Sequence, residues 1–135
     1  MEDGLQEFTM LREMFENIGY VFWLRDLKAE RLLYASPAFE RIWGRTVESL
    51  LLSPRIWVES IHPEDREIVL SAAMVDARIA QDAKHYRIIR PDGAIRWIED
   101  RAYPVRNAKG EVYRLAGVAR DITGTGGDRP GFRPA

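Results

Sequence analysis

Residues 85–123 read HYRIIRPDGAIRWIEDRAYPVRNAKGEVYRLAGVARDIT. Three runs rich in β-branched and aromatic residues are separated by Pro91-Asp92-Gly93 and by Asn107-Ala108-Lys109-Gly110. Asp-Gly, like a four-residue loop closed by glycine, is a turn signal because glycine takes positive φ without steric cost. Two consecutive hairpins make a three-stranded antiparallel meander, which ends on Asp121-Ile122-Thr123.

Ahead of the meander, Pro63 opens a helix with Glu64, Asp65 and Glu67 in its first turn, where the helix dipole favours negative charge. Ile68, Ala72, Val75 and Ile79 follow at i, i+4, i+7 and i+11 and predict one apolar stripe facing a core. Short helical turns are expected at Val47–Leu52 and Arg55–Ser60. Ser36-Pro37 reads as a helix start, with Ser as N-cap and Pro at the first helical position. Phe39, Ile42 and Trp43 form that helix's buried face and Gly44 its stop. Before it come two short strands, residues 20–24 and Arg31–Ala35, joined by a tight connection over residues 26–30. Leu5, Phe8, Leu11, Phe15 and Ile18, three and four apart, predict an amphipathic N-terminal helix that Gly19 interrupts. It can cover the domain's own sheet, pair with a copy of itself, or continue an upstream helix; a cap that also helps to dimerise is the favoured role.

The order is helix, two strands, several small helices, one longer helix, three strands. That is an α+β architecture: five antiparallel strands in one sheet, helices on one face, and an N-terminal amphipathic cap. Residues 1–18 are assigned to the cap or dimerisation helix and 19–123 to the domain. Residues 124–135, rich in Gly and Pro, read as a disordered tail or linker.

With 135 residues the chain can bury a core as one domain. A net charge of -1 gives no long-range attraction to phosphate backbones or anionic lipid, so neither nucleic acid nor membrane is expected as a partner. The absence of cysteine excludes disulfides, thiolate metal sites and cysteine nucleophiles. No apolar run approaches the roughly 20 residues of a membrane span, and the acidic start lacks a secretory pattern, so the expectation is cytoplasmic.

Few residues offer chemistry. His62 and His85 are the only imidazoles, and a stable metal site needs about three or four convergent ligands, so no metal is expected. Glu99 and Asp100 point to opposite faces of a strand, and Glu64 and Asp65 diverge on a helix, so neither pair makes acid–base machinery. No catalytic residue is assigned. The aromatic set Phe22, Trp23, Phe39, Trp43, Trp57, Tyr86, Trp97 and Tyr103 can be a cage for a planar ligand or plain core. Strand alternation puts Trp97 with Ile95 and Glu99, and Ile98 on the other face.

These punctuation points, in this order, resemble a PAS domain of the type found in bacterial sensor histidine kinases and cyclic-di-nucleotide enzymes. The carriers are Ser36-Pro37-Ala38-Phe39 with Gly44; Trp57 with Ile61-His62-Pro63-Glu64-Asp65-Arg66; Tyr86-Arg87; Arg90-Pro91-Asp92-Gly93 with Arg96-Trp97; and residues 117–123, GVARDIT. The resemblance implies a sensory module, not itself an enzyme, whose sheet curls around a small interior. Its geometry would line that interior with Phe22, Ile42, Trp43, Leu50, Val69, Ala73, Ile88, Trp97 and Leu115. Signals would leave through Asp121, Ile122 and Thr123, with Arg101 or Arg120 pairing with Asp121, and through the cap helix carrying Leu5, Phe8, Leu11 and Phe15.

The cofactor is left unassigned. The long helix has no His where haem-binding relatives carry theirs, which gives His62 a capping role. The reactive cysteine of flavin photosensors is missing. Ser36 and His85 stand where many relatives carry Asn and Glu, and the tail departs from the usual helical linker. The expected function is regulation of an output domain such as a histidine kinase or diguanylate cyclase, as a homodimer sensing a small molecule or mediating protein–protein interaction. A ligand-free dimerisation module is the alternative, and a small cone-fold enzyme is a more distant one.

Overall fold

Gly93 and Gly110 take positive φ, 88° and 82°, and turn the chain twice between three long strands. At the first turn Asp92 Oδ1 accepts the Ala94 N–H at 3.0 Å. At the second, Asn107 Oδ1 accepts from the N–H groups of Lys109 and Glu111. The strands are β3 (Lys84–Ile89), β4 (Ile95–Arg106) and β5 (Val112–Asp121). In this computed structural model, which describes residues 2–75 and 83–124, they continue into β1 (Val21–Asp26) and β2 (Arg31–Ala35). The sheet order is β2-β1-β5-β4-β3, and every pairing is antiparallel. The side chains of residues 2–3 and 71–75, the expected stripe positions Ala72, Val75 and Ile79, and the tail 125–135 lie outside the described residues.

One face of this sheet receives α2 (Ala38–Trp43), α3 (Val47–Leu52), α4 (Arg55–Ser60) and α5 (Pro63–Val75). Phe39, Trp43, Leu50 and Val69 from these helices pack with Val21, Tyr86, Ile88 and Ile98 from the strands in a single buried cluster. The N-terminal helix α1 (Glu2–Asn17) goes elsewhere. Its Phe15 meets Phe22 with ring centroids 4.8 Å apart. Phe22 alternates with the buried Val21, so α1 touches the outer face. Leu5 and Phe8 remain 67% and 61% exposed, which leaves most of the helix's apolar stripe uncovered. Among the described residues no helix is long and apolar enough to cross a membrane.

Two local expectations are corrected. Ser36 does not cap α2 with its side chain; α2 has Pro37 at its N-cap and no side-chain cap bond. The Ser36 hydroxyl is taken by β1 instead, accepting the Phe22 N–H at 2.8 Å and donating to Tyr20 O at 3.1 Å. The end of α2 is as expected, with Gly44 at φ 72°. Its last carbonyls gain a distant partner, because Arg90 from the first meander turn donates to Arg41 O and Ile42 O at 2.6 and 2.8 Å.

The second correction concerns α5, where Val69 is 3% exposed and Ile68 51%. Asp65 explains the rotation, since Asp65 and Val69 are four apart and share a helix face. Asp65 Oδ2 accepts from Arg87 N and Nε at 2.8 and 3.0 Å, and Oδ1 from Arg87 Nη2 at 2.8 Å. His62 N donates to Arg87 O at 2.8 Å, so both main-chain groups of Arg87 on the open side of edge strand β3 are satisfied by the start of α5. His62 also caps the helix, its Nδ1 accepting the Glu64 N–H at 3.1 Å.

Burial alone would raise the Asp65 carboxyl, but the Arg87 hydrogen bonds and charge outweigh it and hold the group below its ordinary value. A depressed acid stabilises the fold above its unfolded pKa of about 3.9 and loses that contribution as pH falls through the folded value. Asp65→Ala is expected to cost about 1–3 kcal/mol in urea unfolding, because it leaves the Arg87 main-chain N–H and Nε without their acceptor, with Glu64, 3.0 Å from Nη2, the guanidinium's remaining carboxylate. Asp65→Asn should remove part of the wild-type loss of stability below about pH 4, and an unchanged acid limb would contradict this account.

Candidate functional site

The sheet's concave face has a floor of small residues. Ala35, Ala102 and Ala119 come from β2, β4 and β5, and they leave a cavity of about 220 Å³ beneath the helices. Its walls are Trp43 and Phe39 of α2, Leu50 of α3, Trp57 of α4, Val69 of α5 and Leu115 of β5. Phe39 and Trp43 stack with centroids 5.1 Å apart. Trp43 is 2% exposed, and its indole N–H has no hydrogen-bond partner among the described residues.

Trp23 crosses the floor. In the β1–β5 register it stands opposite Gly117, and a Cβ there would lie 1.9 Å from the indole. Only glycine lets the ring lie flat on β5 and reach β4 beyond. There Trp23 Nε1 donates to Asp100 Oδ1 at 3.0 Å. Tyr86 Oη donates to Asp100 Oδ2 at 2.7 Å and accepts from Trp57 Nε1 at 3.1 Å. Two aromatic side chains, from β1 and β3, thus bond one buried carboxyl at the cavity wall, and a third, from α4, bonds the Tyr86 hydroxyl. Burial raises the Asp100 carboxyl above its ordinary value, although the Tyr86 and Trp23 hydrogen bonds pull the other way. Burial also pushes the Tyr86 phenol well up, and the Asp100 charge and hydrogen bond add to it.

Of the nine interior positions expected from sequence, Trp43, Leu50, Val69 and Leu115 line this cavity. Ile42 and Ile88 are buried in the core cluster behind it. The Ala73 side chain lies outside the described residues. Phe22 and Trp97 are on the opposite face, a correction that strand parity dictates. Val21 and Trp23 face inward, so Phe22 faces α1. Ile98 and Asp100 face inward, so Trp97 faces out and lies under the Arg87 guanidinium at 5.3 Å. Of the aromatic set, Trp23, Phe39, Trp43, Trp57 and Tyr86 line the cavity, whereas Asp100, Gly117, Ala102 and Ala119 are site residues that the sequence reading does not single out. An isolated glycine inside a β run marks a close approach, and Asp100 shares the parity of Ile98; both signals were present in the sequence.

The exit of β5 is tied back to β4. Thr123 Oγ1 accepts the Trp97 N–H at 2.8 Å, Ile122 N donates to Trp97 O at 2.9 Å, and Thr123 N donates to Asp121 Oδ1 at 2.9 Å. The partner of Asp121 is Arg96, at 2.9 Å, in place of Arg101 or Arg120. Arg120 is engaged by Glu99 at 2.7 Å, which also receives His85 at 3.2 Å. Arg101 stands opposite Val118 on the outer face, the parity that carries Glu99 and Trp97.

Gly117→Ala is the sharpest test of this arrangement. The added methyl must expel the Trp23 indole from β5 and break its bond to Asp100, at an expected cost of about 2–4 kcal/mol from overpacking and a lost buried hydrogen bond. The measurements are thermal unfolding and the indole N–H chemical shift of Trp23; an unmoved resonance would refute the geometry.

A family model described as the PAS fold matches residues 32–119. The methyl sulfide methyltransferase-associated sensor of Methanosarcina acetivorans is 29% identical over 82 residues, 59% of this chain and 8% of that protein's length. Among solved structures, the N-terminal domain of a diguanylate cyclase with PAS/PAC sensor from Marinobacter aquaeolei superposes with a TM-score of 0.69 at 29% identity, covering 76% of this chain and 94% of that one. A domain of a putative light and redox sensing histidine kinase from Haloarcula marismortui gives 0.63 at 30% identity, covering 84% and 98%. With the strand order, the four helices over the concave face and the β5 exit as described, the chain belongs to the PAS fold family.

Proposed function

We propose that this PAS sensor domain binds a small molecule in the cavity above Ala35, Ala102 and Ala119 and passes its occupancy through β4 to the end of β5. The carrying observation is the cavity itself, about 220 Å³ with an apolar, aromatic wall. A dry cavity of about 150 Å³ suffices for benzene, so this one suits a compact metabolite, smaller than haem or flavin. Asp100 and the exit bond of Trp97 lie three residues apart on β4, on opposite faces. A shift of the Trp23–Asp100–Tyr86 contacts therefore reaches Thr123 through one stiff strand.

The output is a signalling domain of the kind joined to relatives, a histidine kinase or a diguanylate cyclase. The uncovered stripe of α1, with Leu5, Phe8 and Leu11 exposed, supports homodimerisation through that helix. The same exposure favours a second reading, a ligand-free module that acts through partner choice alone.

Native mass spectrometry of purified protein distinguishes the two. A dimer carrying small-molecule adducts, with adducts lost in the cavity-filling variant Ala102→Leu, is the expected result. A chain that is always bare, with no compound of a metabolite library raising its Tm, would leave the ligand-free module.

The exit makes a separate prediction. Thr123→Val deletes the acceptor of the Trp97 N–H, costs about 1 kcal/mol and speeds amide exchange at Trp97 about five-fold or more. Unchanged protection there would show that the end of β5 is held by other contacts.

A further inference from the structure

Resting on the reading of the cavity as a ligand site, we propose that it takes a small organic cation, a protonated amine on an apolar body, with Asp100 as the counter-charge. Each carboxylate oxygen of Asp100 accepts one hydrogen bond, from Trp23 Nε1 and Tyr86 Oη, and both donors are neutral. A carboxylate oxygen has room for a second donor, so each keeps an open position. Among the described residues no cationic group stands within 4.0 Å of it. A buried carboxylate without a cation is costly, and an incoming ammonium offsets that cost directly.

The surroundings favour the same chemistry. Trp23 and Tyr86 place an indole and a phenol ring against the carboxyl, Trp57 stands next to Tyr86, and Trp43 and Phe39 stand on the cavity wall. Aromatic faces attract ammonium groups, more strongly where water is excluded. The volume of about 220 Å³, set against about 150 Å³ for six-carbon benzene, points to a body of about eight to ten non-hydrogen atoms.

Three other charged residues border the cavity, Arg25, Glu30 and Lys84. Arg25 and Glu30 are exposed to solvent. Lys84 is the competing charge, since it stands opposite Asp100 in the β3–β4 register and acts on it through space. No ion pair joins the two among the described residues. Lys84 therefore weakens the selection for a cation without occupying the carboxylate.

The test compares three probes of one shape on the full chain: 2-phenylethylamine, 2-phenylethanol and phenylacetate. Binding is read by calorimetry and by tryptophan fluorescence, because three of the four tryptophans line the cavity. The amine is expected to bind at least about ten-fold tighter than the alcohol, the range of a charge-assisted hydrogen bond. Asp100→Asn should bring the amine down to the alcohol's affinity, and Lys84→Ala should raise it. The wild-type comparison needs no variant to fold. Equal binding of amine and alcohol overturns the proposal while keeping the cavity as a ligand site. Preference for phenylacetate overturns it in favour of Lys84 and the Trp43 N–H. If none of the three binds while native mass spectrometry or the metabolite library shows an occupied cavity, the cation inference fails and the ligand-site reading stands; if those are negative too, both fail.

Discussion

The arrangement depends on one close approach, the Trp23 indole lying on the bare backbone of Gly117. It seats β1 against β5 and carries an N–H across the floor to Asp100. It also leaves Ala35, Ala102 and Ala119 as the remaining floor residues, whose small side chains keep the interior open. A larger residue at 117 would turn Trp23 into the cavity. The polar chain from Trp57 through Tyr86 to Asp100 would then lack its third arm. Packing, polar satisfaction and the empty volume share one cause.

A second constraint acts at the sheet's margin. Edge strand β3 would present unpaired main-chain groups at Arg87, a template for another chain. The start of α5 covers them with Asp65 and His62. The same bonds fix how α5 is rotated and so which of its residues reach the core. Edge protection and core selection are thus one event, and Arg87 further rests on Trp97, the residue whose N–H holds the β5 exit.

Much of the fold was legible because its signals are local. Asp92-Gly93 and the Asn107–Gly110 loop announce their turns through backbone freedom, and Gly44 announces the end of α2 in the same way. What stayed hidden required knowing which face of a strand points inward. That is decided by long-range pairing: Trp97 and Phe22 are as apolar as any core residue, yet the registers of β4 with β5 and β1 with β5 send them outward. Ile68 and Val69 are equally apolar neighbours, and an ion pair between Asp65 and a residue 22 positions further along the chain chooses between them. Likewise, the Ser36 hydroxyl was free to cap a helix until β1 took it. The charged partners followed suit, as Asp121 found Arg96 because the β5 exit folds back beside the start of β4.

The pairing of Val21 with Ala119 has a consequence for how the protein is made. On a ribosome adding about 5–20 residues per second, β1 waits roughly 5–20 seconds before the strand that will flank it emerges. Through that interval Phe22, Trp23 and Leu24 sit in a lone two-stranded hairpin, which water alone does not hold. Contacts this distant in sequence make for slow closure once the chain is complete. The nascent chain therefore presents an apolar segment early and completes its pairing last.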